Sequence, residues 1–193
     1  MAGIGRDGIT LGILAGGRAT RLGGIDKAWL EKGGVPQVLR LAARLRPEVD
    51  AILVSANRDH ARYAGHDLAV VADRRADLGP QGGLDALAHA CTPPWLLPLP
   101  VDLVDVNDCL LRSLLAAGGD GAWAEDDDGR QPLVALWRVE ALRDALPSVL
   151  DSDNRSVRAL QARLVMSAVR FEGLRFGNLN TPADLNAAGC APG

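Results

Sequence analysis

The sequence predicts an α/β fold of three layers, with a mainly parallel sheet between two layers of helices. Two observations predict it. Short apolar runs alternate with helical patterns along the whole chain, and such runs are what strands covered on both faces require. The first four runs also end in polar, glycine-rich or acidic tips, where open parallel sheets bind their ligands.

The elements follow in order. Residues 10–14 read as the first strand. Residues 37–45 form an amphipathic helix, stopped by Pro47. The second strand is 51–55, followed by a short helix at 58–64 and a third strand at 68–72. A helix at 83–91 precedes the fourth strand, 95–99. Residues 108–117 form a helix closed by Gly118 and Gly119. Strands at 121–125 and 132–137 flank the polar turn 126–130. Helices at 139–146 and 157–164, a short strand at 168–171 and a final helix at 181–187 complete the chain. Asn180 or Thr181 caps that last helix.

With 193 residues and no linker, repeat or low-complexity block, the chain reads as a single domain, residues 1–193, with its core at about 9–187. The net charge of −3 carries no broad nucleic-acid footprint. No apolar run approaches the roughly 20 residues of a membrane span, so no membrane partner is expected. Arg6 and Asp7 occupy the start where a signal core would be apolar, so export is not expected. Cys91, Cys109 and Cys190 have no metal-ligand spacing, and His60, His66 and His89 do not cluster. Scattered thiols suit a reducing cytoplasm. The four tryptophans read as packing residues.

The most informative stretch is 11–27. A buried strand breaks there into a glycine-rich, basic loop that ends at Lys27. Glycine lets backbone N–H groups approach phosphates, and basic side chains at Arg18, Arg21 and Lys27 neutralise their charge. Only two of the 21 basic residues are lysine, so Lys27 marks a need for a compact point charge. The loop is not a P-loop, because Ala28 follows Lys27 where that motif has Ser or Thr. Nor is it a Rossmann fingerprint, because Gly12 lies inside the strand.

Other strand tips carry chemistry. Asp102 follows a nearly charge-free run and is a natural Mg²⁺ ligand, since Mg²⁺ takes one or two carboxylates plus substrate phosphates and water. Asp105 is a weaker candidate of the same kind. Asp73 ends the third strand, where a carboxylate can accept the paired N–H donors of a guanine edge. Gly79, Gly82 and Gly83 form a second glycine-rich loop, able to approach a base or ribose closely. Asn178 and Asn180 precede a helix whose first turn holds Pro182. Arg155 and Arg158 follow Asn154 and suit an acidic second substrate.

Together these residues resemble the molybdenum cofactor guanylyltransferases. The resemblance rests on Leu14-Ala15-Gly16-Gly17-Arg18, Arg21-Leu22-Gly23-Gly24 and Asp26-Lys27. It continues through Ser55-Ala56-Asn57-Arg58, Asp73, Gly79-Pro80, Gly82-Gly83, Asp102, the run 131–136, Asn178 and Asn180-Thr181-Pro182. It covers about residues 9–187. It implies a fold of the nucleotide-diphospho-sugar transferase type, with GTP as substrate and Mg²⁺ as cofactor. The terminal phosphate of Mo-molybdopterin would attack the α-phosphate of GTP, and pyrophosphate would leave. By position, Leu14, Ala15, Gly16 and Gly17 would hold the nucleotide, with Ser55 and Asn57 near it. Arg21 and Lys27 would neutralise phosphates and Asp73 would read guanine. Asp102 would bind Mg²⁺, and Asn178 and Asn180 would face the pterin. Molybdenum-insertion proteins and apo-molybdoenzymes with their chaperones are the implied protein partners.

Three departures stand out. Ser55 replaces the family's asparagine. Val104 stands where the family has a proline two residues after the metal aspartate. Gln131 replaces a histidine or acid. A relative that uses CTP usually reads Leu-Ala-Ala-Gly, so Leu14-Ala15-Gly16-Gly17 favours GTP. Sugar-1-phosphate nucleotidyltransferases carry proline immediately before the lysine, where this chain has Asp26. A GTP-binding carrier without catalysis would not need both Lys27 and Asp102.

Overall fold

The chain is known from a computed structural model, which describes residues 8–16, 26–92 and 94–192. The expectations for Gly17 and Arg21 therefore fall outside the described residues. A seven-stranded sheet has the order β5-β4-β1-β6-β8-β7-β9. Its strands are β1 (Ile9–Leu14), β4 (Ala51–Ser55), β5 (Ala69–Val71), β6 (Trp95–Pro100), β7 (Gly121–Asp126), β8 (Gly129–Arg138) and β9 (Met166–Arg170). All run parallel except β8. The order reverses at β1, which β4 and β6 flank.

Alternation along β1 sets the layers. Ile9, Leu11 and Ile13 face one core, where α1 (Gln37–Leu45), α2 (His60–Ala64) and α4 (Leu110–Ala116) pack. The other face is covered by α3 (Pro80–Ala90), α5 (Val139–Leu150) and α6 (Val157–Gln161). Gly12 faces this second layer because a Cβ there would come within 2.7 Å of Leu87 Cδ1. The three-layer arrangement is the expected one.

Several boundaries differ from the reading of the sequence. Helix α5 runs through Pro147 to Leu150. Proline removes one helical hydrogen bond, but Leu146, Val149 and Leu150 are all buried in the second core, and their burial outweighs it. Helix α3 begins at Pro80 rather than residue 83. A small second sheet, β10-β2-β3, joins β2 (Leu30–Lys32), β3 (Val35–Pro36) and β10 (Ala191–Pro192). Its β2–β3 turn uses Gly33 and Gly34, both at positive φ, as a tight hairpin requires. Strands of two or three residues leave too little periodicity to be read from sequence.

Prolines open the sheet at one place. Trp95 N donates to Gly8 O and Val101 N to Leu14 O, so odd-numbered residues of β6 donate toward β1. Even-numbered ones therefore face β8, and Pro98 and Pro100 have no N–H to offer it. The β6–β8 ladder ends at Leu96 and Trp137. On the far side of β8 the register jumps from Trp123–Ala135 to Ala124–Gln131. That leaves Pro132, Leu133 and Val134 outside the β7 ladder, at the wall of a pocket. No helix among the described residues is long and apolar enough to cross a membrane.

Candidate active site

Past β1, β4 and β6 the chain pairs for one more step. Ala15 N donates to Ser55 O at 2.9 Å, Ala56 N to Val71 O at 3.0 Å and Val101 N to Leu14 O at 3.1 Å. This frame floors a cleft of 1280 Å³ at the carboxyl ends of the strands. Leu14, Ala15, Gly16, Ser55, Asn57, Asp73, Gly79, Gly83, Lys27, Asp102 and Asn180 all line it. Asp26, Arg58 and Tyr63 also line it, and the sequence reading gave them no role. Position is the signal that could have found them, since Asp26 adjoins Lys27 and Arg58 adjoins Asn57.

Lys27 sits on a short 3-10 turn, Lys27–Trp29. Asp26 caps it, accepting from Ala28 N at 3.0 Å, and pairs with Arg58 Nε at 3.4 Å. Trp29 is buried and anchors the turn. Its ring lies 4.9 Å from that of Tyr63, and Arg62 stacks over it at 3.9 Å. Burial pushes the Tyr63 phenol well above its ordinary value, with Asp26 and Asp59 adding to the shift.

From this turn the Lys27 ammonium donates to Asp102 Oδ2 at 2.6 Å and to Asn180 Oδ1 at 2.7 Å. The Asn180 segment is held to the Asp102 tip. Leu103 and Asn178 form an antiparallel bridge, and Leu179 N donates to Asp102 O at 3.1 Å. Thr181 then caps α7 (Pro182–Ala188) in a capping box with Asp184. Hydrogen bonds from Thr181 and from the Asn180 backbone hold the Asp184 carboxyl below its ordinary range.

The turn after Asp102 shows how the chain manages without the expected proline. Val104 N and Asp105 N both donate to Phe176 O at 3.0 Å. A proline at 104 could not make the first of these bonds.

Asp73 and Asn57 hold each other. Asn57 Nδ2 donates to Asp73 Oδ2, and Asp73 N donates to Asn57 Oδ1, both at 2.9 Å. Asp73 Oδ1 is buried and has no hydrogen-bond partner among the described residues. Gly82 and Gly83 lie in the first turn of α3, not in a loop. A Cβ on Gly82 would come within 2.9 Å of Asp73 Oδ2, and one on Gly83 within 2.6 Å of Ser55 Oγ. These glycines bring the helix onto the strand tips. Gly79, at positive φ, and Gly83 reach the cleft, whereas Gly82 packs beneath Asp73. Ser55 Oγ is buried and has no hydrogen-bond partner among the described residues.

A second pocket of 340 Å³ adjoins the cleft and shares Pro100 and Leu133 with it. Asn178, Gln131, Ser156 and Arg158 contribute its polar lining. Asn178 and Asn180 thus face different spaces. Arg155 lines neither, and its Nε donates to Ser152 O at 3.2 Å. Gln131 Nε2 donates to the buried Asp126 at 3.0 Å. Burial alone would raise the Asp126 carboxyl, but bonds from Gln131, Phe176 N and Asp128 N hold it below its ordinary range. Among the described residues no group of three or more His, Cys, Asp or Glu could hold a metal ion.

Residues 11–168 match the model of the MobA-like NTP transferase domain. The chain is 35% identical to the molybdenum cofactor guanylyltransferase of Cupriavidus necator, over 94% of this chain and 96% of that one. The chain belongs to the molybdenum cofactor guanylyltransferases.

A second guanylyltransferase, from Serratia proteamaculans, is 36% identical over 89% of each chain. Solved structures share the guanylyltransferase fold. The molybdopterin-guanine dinucleotide biosynthesis protein A of Archaeoglobus fulgidus superposes with a TM-score of 0.74 at 22% identity, covering 93% of this chain and 96% of that one. The 2-C-methyl-D-erythritol 4-phosphate cytidylyltransferase of Thermus thermophilus gives 0.66 at 18% identity, covering 92% and 96%. At those identities the likeness is one of fold. As a member of the guanylyltransferase family, the chain is a nucleotidyltransferase.

Proposed function

We propose that this chain moves the GMP unit of GTP onto the terminal phosphate of Mo-molybdopterin, giving molybdopterin guanine dinucleotide and pyrophosphate. The observation that carries the reading is the Lys27 ammonium, which touches Asp102 on one side and Asn180 on the other. It lines the large cleft.

In this reading an acceptor phosphate oxygen bonds to the α-phosphorus as the bond from that phosphorus to the oxygen bridging α and β breaks. Such transfers need in-line positioning and charge neutralisation more than covalent groups. The acceptor phosphate is already ionised, so no general base is required. Lys27 and Arg21 neutralise phosphate charge. Leu14, Ala15, Gly16 and Gly17 hold the nucleotide. Ser55, Asn57, Gly79, Gly82 and Gly83 shape the space for the base and ribose, directly or from beneath. Asp73 accepts the paired donors of guanine, and its place on the cleft wall beside Asn57 supports that role. Asn180, and Asn178 in the second pocket, hold the acceptor. Arg158, rather than Arg155, supplies cationic charge to that pocket.

The residues present fit Mg²⁺ bound mainly by substrate. Asp102 offers one carboxylate at a strand tip with a side-chain exposure of 16%, and phosphates and water would complete an oxygen shell. When bound, the ion would neutralise phosphate charge beside Lys27. The whole chain acts as one domain, in the cytoplasm, and passes its product to apo-molybdoenzymes and their insertion proteins.

Calorimetry with GTP, CTP, ATP and UTP in the presence of Mg²⁺, followed by pyrophosphate release with molybdopterin, tests this. GTP alone should bind well and turn over. Preference for CTP would move the chain to the cytidylyl chemistry, and binding without pyrophosphate release would make it a carrier.

A further inference from the structure

Gln81 ties the two ligand spaces together. It lies in the first turn of α3, next to Pro80, which lines the cleft. It is 2% exposed, an uncommon place for an amide unless its hydrogen bonds are needed there. Its Nε2 donates to the carbonyl oxygen of Arg155, 74 positions away in the chain. Its Oε1 is buried and has no hydrogen-bond partner among the described residues. The amide therefore stays buried for one bond, which crosses from the nucleotide helix to the segment leading into α6.

A second tie brackets the same segment. Arg75 Nη1 pairs with Asp151 Oδ1 at 2.9 Å. Asp151 is the C-cap of α5, and Ser156 is the N-cap of α6. Segment 151–156 is thus pinned near both ends to the 75–81 stretch that follows Asp73. Ser156, at its end, and Arg158, just past it, line the 340 Å³ pocket.

We propose that Gln81, assisted by the Arg75–Asp151 pair, is a positioning residue that couples the nucleotide cleft to the acceptor pocket. Ordering of 73–81 around a bound nucleotide orders 151–158 as well, and so sets Arg158 for an anionic acceptor. The proposal rests on the reading of the large cleft as the GTP site. A net coupling follows when one ligand orders what the second needs ordered.

Hydrogen exchange on the full chain, with and without GTP and Mg²⁺, tests it, with calorimetry on the same samples. In the wild type GTP should slow exchange in both 73–83 and 152–158. In Gln81→Leu, similar in size but without the donor, GTP should still bind and protect 73–83, while the response of 152–158 disappears. The KM for the molybdopterin acceptor should rise about tenfold with kcat little changed, the scale of one lost hydrogen bond. Asp151→Asn alters an exposed side chain, weakens only the second tie, and should reduce the same response in part. Gln81→Met, which likewise lacks the amide donor, takes its place if Gln81→Leu does not fold. GTP-dependent protection of 152–158 that is unchanged in the folded variants overturns the coupling while leaving the nucleotide site intact. Failure of the wild type to bind GTP overturns the site reading, and the coupling with it.

Discussion

Lys27 Nζ and Asn180 Oδ1 lie 2.7 Å apart although 153 positions separate them in the chain. The lysine comes from an anchored turn near one end and the asparagine from the approach to the last helix. Both line the cleft beside Asp102, which accepts from the same ammonium. Three groups proposed for three different ligand parts therefore hold one another before any ligand arrives.

Lys27→Ala should lower kcat by about 10²–10³, the usual cost of removing one preorganised hydrogen-bond donor to a developing negative charge. Asn180→Ala should act mainly on the KM of the acceptor. Pyrophosphate release at varied GTP and varied acceptor separates the two. An Asn180→Ala effect confined to GTP would move that residue to the nucleotide side.

Base choice should depend on two residues rather than one. Asp73→Ala removes the acceptor of the guanine donors and should reduce discrimination between GTP and CTP by about 10²-fold or more, as expected when a site built for hydrogen bonds loses them. Asn57→Ala leaves the carboxylate in place but frees it to turn, so its loss should be smaller and in the same direction. Binding of the four nucleotides to each variant measures both. Unaltered selectivity in Asp73→Ala would falsify the guanine assignment.

What the sequence made legible has a physical pattern. Long elements with strong apolar runs, such as β1, β6 and α1, were readable because burial dictates their composition. The strand tips were readable because polar residues at the end of such runs have few other reasons to be there. The pairings were not. Nothing local joins Asn57 to Asp73, Gln81 to Arg155 or Lys27 to Asn180, because each bond joins segments that only the sheet order brings together. Gly82 and Gly83 illustrate the limit. Their small size is plain in the sequence, but whether it serves a ligand or a helix depends on what lies within 3 Å of a Cβ placed there.

Gly83→Ala is therefore a test of packing as well as of the site. The added methyl would come within 2.6 Å of Ser55 Oγ and 2.8 Å of Leu14 Cδ2. Overpacking of this kind costs about 1–3 kcal/mol, or roughly 2–4 °C in Tm per kcal/mol for a domain of this size. Thermal unfolding should show the loss. GTP affinity should fall with it, because Leu14 and Ser55 floor the cleft. The double variant Ser55→Gly, Gly83→Ala should recover part of the stability by removing the oxygen that the methyl meets.

Asp126 gives a prediction in pH. Its side chain is buried and accepts from Gln131 Nε2 and Asp128 N at 3.0 Å and from Phe176 N at 2.9 Å. Those bonds favour the charged form and hold the folded carboxyl below its ordinary value despite burial. A carboxyl that binds its proton less readily in the folded state stabilises that state above the unfolded pKa, about 3.9 for Asp. The contribution is lost as pH falls through the lower folded value. Asp126→Asn keeps the size but turns one acceptor into a donor facing these N–H groups. Its deficit relative to the wild type should be full at pH 5–7, about 3 kcal/mol if two charge-assisted bonds are lost, and should shrink steadily below about pH 4. Urea unfolding from pH 3 to pH 7 measures the difference. A deficit that stayed constant across that range would mean that Asp126 acts by shape alone and that its charge contributes nothing to the fold.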